Sequence, residues 1–114
     1  MSYAEALEAA GAVVIEFEEF GSYQGDWWAK VRYKGVEGWV CGSYGSCSGC
    51  DAFEAEFGWD ARDRDDYKTR LAAFGAGYLE DLRTQEEAEA EAGRYACYGL
   101  DDQAALEWLR SHRA

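Results

Sequence analysis

The chain has 114 residues, 23 acidic against 11 basic, for a formal net charge of −12. Apolar residues at 48% and aromatics at 16% can fill one core, which excludes an intrinsically disordered chain and predicts a single small acidic domain over residues 1–114. No apolar run approaches the ~18 residues of a membrane span, no secretory leader pattern opens the chain, and Lys30, Arg32 and Lys34 are the only short cationic set, so a cytoplasmic protein without membrane or direct nucleic-acid binding is expected.

Ser2 and Glu5 have capping-box spacing, and the helix formers from Tyr3 to Ala10 run to a stop at Gly11, which predicts a short N-terminal helix. Val13, Ile15 and Phe17 then alternate with Val14, Glu16 and Glu18, predicting a strand over about 12–19 with the first set buried. After the turn residues 21–26, Trp27, Ala29, Val31 and Tyr33 share one face of a second strand and Trp28, Lys30, Arg32 and Lys34 the other. Lys34-Gly35 closes a tight hairpin into a third strand from Val36 to about Ser43, with Glu16 or Glu18 expected to pair across strands with Lys30 or Arg32. A Gly/Ser-rich stretch follows from Ser43 to Gly49, then a short helix capped by Asp51 and carrying Phe53 and Phe57. Tyr67, Leu71, Phe74, Tyr78 and Leu82 recur at helical spacing, predicting one long amphipathic helix from about Asp63 to Ala92, with Gly75 and Gly77 marking a kink or a close approach. Asp101 is expected to cap a last helix facing inward through Leu106 and Leu109. The fold class is thus α+β: a three-stranded antiparallel meander packed against a long amphipathic helix, with short terminal helices and one sheet face partly open.

The most specific motif is Gly45-Ser46-Cys47-Ser48-Gly49-Cys50-Asp51, whose C-x-x-C is half of a zinc site. Cys41 and Cys97 are the only other cysteines, so Cys41, Cys47, Cys50 and Cys97 are the candidate ligands and zinc is the one cofactor the sequence leaves open. A thiol-redox role competes, because a C-x-x-C at a helix start has a lowered thiol pKa. The chain has no proline, however, and the thioredoxin-like fold sets a cis-proline beside its disulfide. The plainer reading makes these residues small hydrophobes and a tight turn with reduced thiols.

Gly21-Ser22-Tyr23-Gln24-Gly25-Asp26-Trp27 and the later Tyr44-Gly45-Ser46-Cys47-Ser48-Gly49-Cys50-Asp51-Ala52-Phe53 resemble small uncharacterised phage and mobile-element proteins carrying a Y-G-S-C-S-G-C-D segment. The resemblance covers residues 12–57, under half of the chain, and implies a mobile-element origin but no activity.

Residues 51–114 hold 16 acidic and 8 basic residues, and Glu80, Asp81, Glu86, Glu87, Glu89 and Glu91 crowd one stretch of the long helix. Glu87 and Glu91 form a like-charge pair four residues apart that folding alone does not call for. Carboxylates at such spacing can occupy a cationic groove, although a charged run also serves simply as a solvated face. The aromatics Trp28, Trp39 and Tyr44 on the sheet are expected in the core first, and as an exposed binding face second. The single histidine, His112, is expected to fray near the chain end, and no catalytic constellation is visible, so no enzyme is expected. The leading expectation is an acidic phage-type protein that inhibits a host nucleic-acid-handling defence complex, anti-CRISPR-like or anti-restriction-like, by binding a basic protein or ribonucleoprotein partner. A zinc-binding structural or adaptor module is the alternative, and a thiol-redox protein the third.

Overall fold

A computed structural model describes residues 2–21, 25–44, 65–94 and 100–112. In chain order they form helix α1 (Ser2–Ala9), strands β1 (Val13–Gly21), β2 (Gly25–Tyr33) and β3 (Val36–Tyr44), and helices α2 (Tyr67–Leu79), α3 (Gln85–Arg94) and α4 (Leu100–Ser111). The strands make an antiparallel sheet in the order β1-β2-β3, so the chain is α+β with the expected meander. Asp51, Phe53 and Phe57, assigned above to a short helix, lie outside the described residues.

Local chemistry accounts for these elements. The end of α1 is closed by Gly11 N–H to Glu8 O at 3.0 Å and Ala12 N–H to Leu7 O at 3.1 Å, the paired bonds of a Schellman motif, with Leu7 and Ala12 both in the core. Lys34 at φ 53° and Gly35 at φ 80° form the two-residue turn whose twist suits a right-handed hairpin, which fixes Tyr33 opposite Val36.

One sheet face carries Trp27, Ala29, Val31 and Val40, packed beneath Tyr3 and Leu7 of α1 and Phe74, Tyr78 and Leu79 of α2. Trp27 stacks on Phe17 at 5.5 Å and meets Tyr78 edge-on at 5.0 Å. Leu71 continues the contact toward Ala6. The other face, which the sequence predicts to be partly open, is covered. Trp28 and Trp39 are covered by Ala88 and Ala92 of α3 and Ala105 and Leu109 of α4, which gives a helix–sheet–helix arrangement with two cores.

Four further expectations need correction. A β-bulge at Ile15 shifts the register between Val14 and Glu16, so Val14 and Phe17 pack against the core while Val13 and Ile15 are 60% and 41% exposed. Glu16 does stand opposite Lys30 across β1 and β2, but the ion pairs run toward β3, where Lys30 and Arg32 each meet Glu37, at 3.3 and 3.2 Å. The single long helix is two helices, α2 and α3, separated by residues 80–84. Arg83 leaves the helical path to exchange two 2.8 Å backbone hydrogen bonds with Trp39 on the edge of β3. Thr84 then starts α3 with a capping box: Glu87 N–H donates to Thr84 Oγ1 at 3.1 Å and Thr84 N–H to Glu87 Oε1 at 3.0 Å. In the last helix, Asp101 falls within α4 rather than ahead of it.

Candidate functional site

The acidic stretch lies at the α2–α3 junction and along α3, and its six members have different surroundings. Glu80, Asp81, Glu86 and Glu87 are exposed. Their backbone is held in place by the Arg83–Trp39 bridge on one side and the Thr84 cap on the other. Hydrogen bonds from Thr84, the backbone amide first, hold the Glu87 carboxyl below its ordinary pKa, so this residue has a local folding role that the like-charge reading had not given it.

Glu89 does not lie on the expected solvent face. Its side chain is only 14% exposed and meets Arg110 Nε of α4 at 3.3 Å. It also accepts a 2.9 Å hydrogen bond from Gln85 Nε2. Gln85, which sequence reasoning passed over, ties three elements together: its Oε1 accepts from Trp39 Nε1 of β3 at 2.9 Å, and its Nε2 also donates to Leu109 O of α4 at 2.9 Å. The residue is the first of α3, immediately after the Thr84 cap, but nothing local signals a side chain directed at a tryptophan 46 positions earlier.

Glu91 is half-buried and turns toward a cavity of about 480 Å³ lined also by Asp26, Trp28, Cys41, Gly42, Ser43, Ala92 and Ala105. Ser43 Oγ donates to Asp26 Oδ1 there at 3.2 Å. Cys41 is a free thiol, and its burial pushes the pKa from 9.0 up to about 11, which favours the neutral thiol over the thiolate a metal or a redox step uses. Its proposed co-ligands Cys47, Cys50 and Cys97 lie outside the described residues. Among the described residues, no group of three or more His, Cys, Asp or Glu side chains is placed to hold a metal ion.

Trp28 and Trp39 are 4% and 1% exposed, buried under α3 and α4, so they cannot act as an exposed aromatic face. Tyr44 ends β3, two strand positions beyond the Gly42 that lines the cavity. His112 is tied down rather than frayed. Its Nδ1 lies 2.8 Å from Trp108 O and 3.0 Å from Ser111 Oγ, and its Nε2 is 3.8 Å from Glu16 Oε2. The His112 carbonyl accepts from Lys30 Nζ at 2.8 Å, which fastens the end of α4 to the sheet.

Around β2, Lys30 and Arg32 hold the Glu37 carboxyl below its ordinary pKa, the Arg32 hydrogen bond contributing most. Two of the three clustered cations are thereby engaged within the chain. Among the described residues no helix is long and apolar enough to cross a membrane. Compared with protein-family models, curated proteins and solved structures, the chain gives no match.

Proposed function

We propose that this chain is an acidic interaction protein that occupies a cationic, nucleic-acid-binding surface of a host defence complex, in the manner of phage-encoded inhibitors of CRISPR or restriction systems. The observation that supports this reading most directly is the α2–α3 junction. Glu80, Asp81 and Glu86 are exposed there on backbone pinned by Arg83 and Thr84, and among the described residues none of the three has an ion-pair partner. Carboxylates carried on a held backbone avoid the cost of ordering that backbone on binding, and with a net charge of −12 behind them they steer a basic partner toward this surface. The resemblance of residues 12–57 to mobile-element proteins supplies the biological setting.

Such a complex is held mainly by exposed charge, so its affinity falls steeply from low to physiological ionic strength. Neutralising Glu80→Gln, Asp81→Asn and Glu86→Gln together weakens it and flattens the salt dependence. Glu87 and Glu89 are left untouched because the capping box and the Arg110 pair use them within the chain. A partner that binds the neutralised chain unchanged, with the same salt dependence, refutes the reading.

A further inference from the structure

The two edges of the sheet differ. The β3 edge is guarded by the chain itself, through the two 2.8 Å hydrogen bonds between Trp39 and Arg83. No described residue pairs with the β1 edge. Which β1 groups face outward follows from the hairpin. A two-residue turn makes Tyr33 and Val36 a hydrogen-bonded pair, so Val31, Ala29 and Trp27 also bond to β3, and the intervening Arg32, Lys30, Trp28 and Asp26 bond to β1. Their β1 partners are Val13, Glu16, Glu18 and Phe20, which leaves the amides and carbonyls of Val14, Phe17 and Glu19 directed away from the sheet. The Glu19 N–H accordingly donates to its neighbour's Glu18 Oε1, at 3.3 Å, and not to β2.

This edge is chemically particular. β1 carries Glu16, Glu18 and Glu19 and no basic residue, beside the exposed Val13 and Ile15. We propose that β1 is a docking edge that takes an extended, cationic segment of a partner protein as a fourth strand. Backbone groups of the incoming strand pair with Val14 and Phe17, and its alternate Lys or Arg side chains lie beside Glu16 and Glu18. Charge complementarity selects this occupant. A second copy of the chain would bring its own Glu16 and Glu18 against these two, which the rule for like charges on neighbouring strands penalises. The proposal stands apart from the α2–α3 surface and does not depend on what that surface binds.

The probe is the heptapeptide Lys-Val-Lys-Val-Lys-Val-Lys with blocked ends, titrated into the isotope-labelled full chain and followed by amide NMR. Two control copies are N-methylated on the lysines or on the valines, which preserves charge but removes alternate strand donors. Binding is expected to shift the amides of residues 13–20, and one methylated copy is expected to bind at least tenfold more weakly. Glu18→Lys, at an exposed position, is expected to weaken binding at least tenfold while circular dichroism stays that of the parent. Several results overturn the proposal: no binding at millimolar peptide, equal binding of both methylated copies, or shifts confined to residues 80–87. So does a free chain that sediments as a dimer through this edge, or one whose Val14 and Phe17 amides are already as protected from exchange as that of Val31.

Discussion

Gly75 and Gly77 stand two residues apart in α2, yet the same substitution at each should move stability in opposite directions. At Gly77 an added Cβ meets no atom within 4 Å, so Gly77→Ala gains the helix-propensity difference of about 0.8–1 kcal/mol. With an unfolding entropy of roughly 2.1 cal/mol/K per residue, 114 residues convert that gain to a rise in Tm of about 3–4 °C. At Gly75 the same Cβ runs into the backbone carbonyl of Ala6 in α1, where no side-chain rotation can relieve the contact. Ala6 and Leu7 are fully buried there, so α1 can make room only by lifting off the sheet. The propensity gain is still present, but overpacking of about 1–3 kcal/mol or more, together with lost burial of α1, exceeds it. Gly75→Ala is therefore expected to lose about 2 kcal/mol net, a fall in Tm of roughly 8 °C by the same conversion. Urea titration with a shared m-value, run beside thermal melts of both variants, measures the two effects. If Gly75→Ala is as stable as Gly77→Ala, α1 does not cross α2 at Gly75 and the packing described for the first core is wrong.

Thr84→Ala removes the acceptor for the Glu87 amide and should cost about 1 kcal/mol, read as a lower urea midpoint. Because the folded Glu87 carboxyl has a lowered pKa, its contribution is complete above the ordinary carboxylate range and is lost as pH falls through the lowered value; Glu87→Gln should flatten that acid limb of the stability curve. Cys41 has the opposite sign. The unfolded thiol ionises near 9.0 while the folded one holds its proton to about 11, so wild-type stability should decline relative to Cys41→Ala between those pH values and level off above them. A constant difference between the two proteins across that window would show that Cys41 is not buried.

Much of the fold was legible because its signals are local. The alternation through Trp27–Tyr33 and the Lys34-Gly35 turn gave the β2–β3 hairpin, and Gly11 gave the end of α1. The bulge at Ile15 was not legible, since Val13, Ile15 and Phe17 keep an unbroken period of two, whereas the inward pair Val14 and Phe17 is three residues apart and only pairing with β2 reveals the inserted residue. The break between α2 and α3 did have a local signal, Thr84-x-x-Glu87, but it was hidden inside a run of carboxylates that suggested surface charge. The burial of Trp28 and Trp39 and the pairing of Glu89 depend on α3 and α4 folding over the second sheet face. That is tertiary information which no window of the sequence contains. For the candidate site the consequence is specific: six carboxylates that look equivalent in the sequence divide into three without ion-pair partners among the described residues, Glu80, Asp81 and Glu86, and three with other surroundings, Glu87 in a cap, Glu89 in an ion pair and Glu91 at a cavity.

Quantitative capture from a bacterial lysate, with the wild-type chain and the Glu80→Gln, Asp81→Asn, Glu86→Gln variant as parallel baits, tests the proposed role most directly. Mass spectrometry should find a basic, nucleic-acid-binding protein or ribonucleoprotein enriched on the wild-type bait, released by moderate salt, and depleted at least tenfold on the variant, with both baits equally folded. Recovery of the same proteins in the same amounts on both baits, or enrichment only of partners that resist salt, would contradict it.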